Sequence, residues 1–269
     1  MNTNILYNVM SKWTRAKTKA DNLSSSISTF CNDNPISLEA KLREGRLGVD
    51  LICQMDNLEI PLKEWSIELG EVVYLLRSSL DNLIYVCAQS YSDPPTNPRR
   101  LQFPIVQDSR QYQNAVRDIL PQISPEVSNL LEKIQPFQRS NPEVEGAPEF
   151  DPLVLLNWIS NHDKHRKPLL FLVPPKEIGI NHTCEFESEQ DASENVPPDV
   201  VVHVDPLSHG KNIIEHRTKH PVKKISGKLD ITAHVAFNSH NGLRDLSETM
   251  NQLTWYTKLI IDEFSKELL

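Results

Sequence analysis

Between Pro61 and Ser90 apolar residues recur every three or four positions: Trp65, Leu69, Val72, Val73, Leu76, Leu80, Leu83, Ile84 and Cys87. This spacing puts them on one side of a helix and predicts a long helix over 61–91. Pro61 suits its first turn, where a missing N–H costs nothing. A second stripe of small and polar residues runs beside the first: Gly70, Tyr74, Arg77, Asp81 and Ala88. Arg77 and Asp81 stand four residues apart, so their side chains are neighbours. Small and polar positions next to a strong apolar stripe predict close contact with a second helix, or a cleft.

The same period appears at both ends of the chain. Trp13, Ala16, Ala20, Leu23, Ile27 and Phe30 alternate steps of three and four and predict a helix over 10–31. Leu246, Met250, Leu253, Thr257, Ile260 and Phe264 do the same within a C-terminal helix over 242–268. A shorter helix is expected over 151–166, with Asp151 as N-cap and Pro152 in the first turn. Leu153 to Leu156, Trp158 and Ile159 make it apolar nearly all round, apart from a polar stripe of Asn157, Asn161 and His165.

Elsewhere the pattern is shorter. Apolar and polar residues partly alternate over 36–55, with Gly45 in the middle, and predict a β-hairpin. Two short helices are expected over 109–119 and 124–134, the second opened by Ser124-Pro125. Strands are expected within 168–237, at 169–173, 200–204 and 229–237. The acidic stretch 176–199, with a strand at most at its start, and the basic, histidine-rich stretch 211–228 read as loops. The expected fold is α+β: one domain, a helical bundle of three long and one shorter helix, with a small, mostly antiparallel sheet docked on it.

Composition narrows the setting. The 269 residues carry a formal net charge of -8, with 39% hydrophobic and 24% charged residues. That balance fits a soluble globular protein, and no apolar run is long enough to span a bilayer. The acidic charge opposes strong non-specific binding to nucleic acid. The N-terminus lacks a basic start followed by an apolar block, so no signal peptide is expected. Four widely spaced cysteines form no C-x-x-C pair, which leaves a disulfide framework or zinc ribbon without support and makes a reducing, cytoplasmic home the simplest. Cys87 lies on the apolar stripe and reads as packing.

Candidate chemistry concentrates in N-H-D-K-H-R, Asn161 to Arg166, at the end of the buried helix. Lys164, His165 and Arg166 there can simply cap the last carbonyls, which the helix dipole favours. Alternatively, the cluster meets Arg77 and Asp81 in a polar pocket inside the bundle, where buried charges need one another. Asp163 would then answer Arg77, and Asp81 would answer His165 or Arg166. The candidate catalytic set is His165, Arg77, Asp81 and Arg166, and the candidate ligand-binding set is Tyr74, Asn157, Asn161, His162, Asp163 and Lys164. His162, Asp163 and His165 are also metal-ligand types, but H-x-x-H aligns two imidazoles on a helix less well than H-x-x-x-H does. No metal and no cofactor is expected. Dinucleotide, P-loop and serine-hydrolase fingerprints are all missing from the sequence.

Three motifs, G-E-x-x-x-x-L-R-S-x-L-D at Gly70 to Asp81, F-P-I at Phe103 to Ile105 and N-x-D-K-H-R at Asn161 to Arg166, together resemble a family of bacterial proteins of unassigned function. The likeness spans roughly 61–173. More distantly, the chain is similar to the HEPN helical-bundle superfamily. Many of its members are metal-independent RNases of toxin–antitoxin and phage-defence systems, with Arg and His on an R-x(4–6)-H pattern in one helix. Here the arginine, Arg77, comes from a different helix. The resemblance implies a homodimer, and a pocket in which His165 is a general base, Arg77 or Arg166 holds phosphate, and Asp81 orients one of them. Two functions are expected: a non-enzymatic binding or sensing module whose polar pocket is structural or receives a small anionic ligand, or, as the resemblance implies, a metal-independent RNase acting as a toxin or phage-defence effector.

Overall fold

The computed structural model describes residues 6–56, 58–140, 146–165, 170–175, 182–197, 199–227 and 229–268, without the side chains of 140, 163–165 and 182. The chain divides into two compact units. One comprises Met1–Ser24, Lys63–Leu169 and Phe237–Leu269; the other comprises Ser25–Leu62 and Leu170–Ala236.

The first unit is helical. Helix α1 spans Tyr7–Asp33, of which the part up to Ser24 belongs here, and α2 spans Leu62–Tyr91. All nine residues of the α2 apolar stripe, Trp65 to Cys87, are buried, as are Ala16, Ala20 and Leu23 of α1. Ser79 of α2 donates to the Val9 carbonyl at 2.9 Å. Short helices α3 (Ser109–Val116) and α4 (Pro125–Lys133) follow. Asp108 caps α3 by accepting from the Arg110 N–H, and Ser124 caps α4 by accepting from the Val127 N–H. These side chains take donors that the first turn of a helix leaves without an internal partner.

Helix α5 (Pro152–His165) starts on a buried Asp151. One carboxylate oxygen accepts from the Leu153 N–H at 2.8 Å, and the other accepts from Arg139 Nε at 2.5 Å. Helix α7 (Leu246–Leu268) packs on α4 and α5. Its stripe from Leu246 to Phe264 is buried, while Trp255 and Leu259 face solvent. Trp13 of α1 donates its indole N–H to the Thr254 carbonyl at 2.9 Å.

The second unit is built on strands. β1 (Ile36–Leu42) and β2 (Gly48–Gln54) form the expected hairpin, in register from Ser37 opposite Gln54 to Leu42 opposite Val49. Its turn needs glycine. Gly48 sits at φ 134°, and a Cβ there would lie 2.3 Å from the His216 carbonyl oxygen. Further strands are β3 (Leu170–Val173), β4 (His182–Glu185), β5 (Asp199–Val202), β6 (Asn212–Arg217), β7 (Lys224–Gly227) and β8 (Asp230–Ile231), with a short helix α6 (Glu189–Glu194). A five-stranded sheet has the order β5-β6-β2-β1-β8, and β4 pairs with β7. Strand β9 (His234–Ser239), on which the chain passes back to the first unit, and β10 (Gly242–Asp245) belong to a three-stranded sheet of order β10-β9-β3.

The architecture corrects the expected one. The protein is α+β, but it is not a bundle of three long helices and one shorter helix carrying a small sheet. The described residues hold seven α-helices and ten strands in three sheets. The difference arises where loops were expected. The basic stretch 211–228 contains β6, and Ile213 and Ile214 at its centre are buried in the five-stranded sheet. The acidic stretch 176–199 contains β4 and α6. β4 and β7 pair only with each other and keep charged or polar residues exposed, so neither carries an apolar alternation strong enough to read. The C-terminal helix starts at Leu246, because Gly242–Asp245 is strand. Among the described residues no helix is long and apolar enough to cross a membrane.

Candidate functional site

Arg77 and Asp81 lie on neighbouring turns of α2 and act on the same peptide segment. Asp81 Oδ1 accepts the main-chain N–H of Phe103 at 2.9 Å, and Arg77 Nη2 donates to the Phe103 carbonyl at 2.5 Å. The two side chains also contact each other, Nη2 to Oδ1, at 3.4 Å. The residues of R-S-x-L-D therefore clamp the first residue of F-P-I. The Phe103 ring is fully buried, 6.3 Å from that of Phe264.

Among the described residues no strand pairs with the segment 101–106, and side chains take up its Phe103 and Val106 N–H groups, while the Val106 carbonyl accepts from the Phe137 N–H at 3.2 Å. Buried Gln135 accepts from the Val106 N–H at 3.0 Å and donates to the Leu131 carbonyl at 3.1 Å. Gln122 accepts from the Asn97 N–H at 2.9 Å and holds the chain that leads into the segment. Buried main-chain groups need such partners.

A cleft of about 470 Å³ opens beside this clamp. Its walls carry Arg77, Arg99, Arg100 and Arg117, with Asn114 and Asn157 between them. Asp118 is the acidic group on the lining and lies 3.8 Å from Arg117. Arg99 and Arg100 come from a single turn of 3-10 helix at Pro98–Arg100, Arg117 from the end of α3 and Asn157 from α5. Arg77 sits deepest. Burial pulls its guanidinium below the ordinary arginine range, and the Asp81 carboxylate opposes that shift. The group stays cationic at neutral pH. Its Nη1 is buried and, among the described residues, makes no hydrogen bond.

The structure brings Arg77, Asp81 and Asn157 together and sends Tyr74 elsewhere. Tyr74 is exposed on a separate groove between α1 and α2. Asn161 is exposed on α5, and His162 stacks on Trp158 with ring centroids 3.9 Å apart, its Nδ1 2.9 Å from the Trp158 carbonyl oxygen. The side chains of Asp163, Lys164 and His165, and all of Arg166, lie outside the described residues. Among the described residues no three His, Cys, Asp or Glu side chains converge as a metal site would require. Burial pushes the Cys87 thiol up to about 12, in keeping with its place in the packing.

Sequence reading missed Arg99, Arg100 and Arg117. A signal existed in N-P-R-R, Asn97 to Arg100, but it follows a proline-rich turn and carries no periodicity. Gln122 and Gln135 left no signal, since a glutamine that replaces a strand partner looks like any surface glutamine. Neither known protein families, nor curated proteins, nor solved structures give a significant match to the chain.

Proposed function

We propose that the protein is a binding module whose arginine cleft takes a small polyanion, a ligand bearing phosphate or diphosphate. The observation that carries this reading is Arg77 Nη1, a cationic donor aligned by Asp81 and left without a hydrogen-bond partner among the described residues. A buried charged donor without a partner costs on the order of 1–3 kcal/mol or more, which an anionic oxygen would offset. Three further arginines surround the cleft of a chain whose net charge is -8, so positive charge is concentrated there against the overall balance. Guanidinium groups suit phosphate because their fork donates two parallel hydrogen bonds. Asn114 and Asn157 add neutral amide groups able to orient a ligand.

The test is calorimetric titration with inorganic pyrophosphate at low and moderate salt. Saturable binding is expected, weaker at higher salt, and reduced about tenfold or more in an Arg99→Gln/Arg117→Gln double variant. Both side chains are exposed, so the variant keeps its fold. Equal affinity in the double variant, or no saturable heat, rejects the reading. A parallel incubation with transfer RNA separates the ribonuclease alternative: cleavage lost in His165→Ala would replace a binding module with an enzyme.

A further inference from the structure

A second cleft, independent of the arginine cleft, runs between the N-terminal halves of α1 and α2 and encloses about 850 Å³. Its size falls within the range of small-molecule sites. The α2 wall leaves large apolar side chains in solvent, with Ile67 57% and Tyr74 66% exposed. These two are seven residues apart and therefore lie on one line along the helix. Gly70, between them along the helix, and Ser66, just before Ile67, are buried, and their small size keeps the floor of the groove low.

The α1 wall is cationic, with Lys12, Arg15 and Lys19 at steps of three and four. Their partners differ. Lys19 is neutralised by Glu71 at 2.5 Å. Lys12 donates to the Ser78 hydroxyl at 2.6 Å, a neutral acceptor that leaves its charge uncompensated. Arg15 is exposed and has no hydrogen-bond or ion-pair partner among the described residues. Lys12 opposite Ser78 and Lys19 opposite Glu71 show that the two helices run antiparallel here, which sets Arg15 level with Leu75. Net positive charge therefore sits at one end of the groove. From that end the apolar wall continues along α2 from Leu75 to Ile67, about 12 Å at the helical rise per residue.

We propose that this groove binds a single-chain amphiphilic anion, a phosphate monoester or carboxylate with an aliphatic tail. Its head group sits on Lys12 and Arg15, and its tail lies along Leu75, Tyr74, Gly70 and Ile67. One uncompensated pair of cations at one end fits one anionic head. A ligand carrying a row of acids would find its third partner, Lys19, already taken by Glu71. The apolar length beyond the pair asks for a tail, because each methylene taken from water adds affinity.

The experiment titrates the whole protein with methyl, hexyl and dodecyl phosphate, and with decanoate, all below their micellar concentrations, and follows backbone amide shifts by NMR. Binding is expected to tighten with chain length by about two- to fourfold per buried methylene. The shifts should map to 11–19 and 66–75, apart from the arginine cleft. Arg15→Gln and Tyr74→Ser, both at exposed positions, should each weaken dodecyl phosphate about fivefold or more. Affinity that ignores chain length, or survives both substitutions, overturns the proposal. Binding only to phosphatidylglycerol vesicles and never to monomeric ligand also overturns it, since the face would then be a membrane contact.

Discussion

Asp81 Oδ1 and the main-chain N–H of Phe103 are 2.9 Å apart, and one turn back on the same helix Arg77 holds the carbonyl of that residue. A carboxylate and a guanidinium thus satisfy both polar groups of one peptide residue whose ring is buried. Asp81→Ala removes the acceptor of a part-buried N–H and should cost about 1–3 kcal/mol in urea unfolding. Asp81→Asn retains an acceptor oxygen and should cost less. Equal stability of Asp81→Ala and the native chain would show that the clamp contributes nothing.

Asp151 joins the start of α5 to Arg139 from within the core, and Tyr256 approaches the same carboxylate at 3.4 Å. Asp151→Ala removes a helix cap and one partner of a buried pair, with an expected loss of about 3–5 kcal/mol. Asp151→Asn should recover the capping part alone. Thermal melts of both variants check the order: native, then Asn, then Ala.

Gly48→Ala tests the hairpin turn. At φ 134° a Cβ would meet the His216 carbonyl oxygen at 2.3 Å, and that atom belongs to β6, the neighbour of β2. The main chain must move or the pairing must open, at a cost of about 2–4 kcal/mol. Gly45→Ala would place its Cβ 3.8 Å from the Leu47 side chain, an ordinary van der Waals contact, and has only its positive φ to overcome, so it should cost less. Reversal of that order would contradict the turn geometry.

Glu215 titrates far from its usual place. Hydrogen bonds from Arg217 first, then Arg43 and His203, lower its pKa from 4.5 to about 2. A depressed carboxylate contributes stability above its unfolded value, and the contribution is lost as pH falls from about 4.5 towards 2. Urea midpoints should therefore drop more steeply with acid for the native chain than for Glu215→Gln in that window. Parallel slopes would mean that Arg217 and Arg43 do not hold the carboxylate.

How far the fold could be read from residues depended on what each stretch buries. Helices α1, α2, α5 and α7 each bury a stripe or most of a surface, and their period is plain in the sequence itself. Asp151 and Ser124 announced their caps through chemistry that only a helix start rewards. β6 was hidden because Asn212, Glu215, His216 and Arg217 surround two buried isoleucines, and four polar or charged residues in six look like loop until a sheet supplies both neighbours. The polar pocket was half legible. Arg77 and Asp81 were visible as an i, i+4 pair. Their shared target, Phe103, lies 22 residues further along from Asp81, and no local pattern connects the two. Tyr74, only three residues from Arg77, turned out to serve a different groove.

The side-chain clamps on 101–106 give this segment an unusual dependence. A strand inside a sheet opens when the neighbouring strand leaves. Here the amide protons of Phe103 and Val106 are guarded by Asp81 and Gln135. Hydrogen exchange at those two amides is therefore a gauge of α2 and of the turn after α4. A polyanion drawing Arg77 and Arg99 together would slow exchange at Phe103 before it altered anything in the sheets.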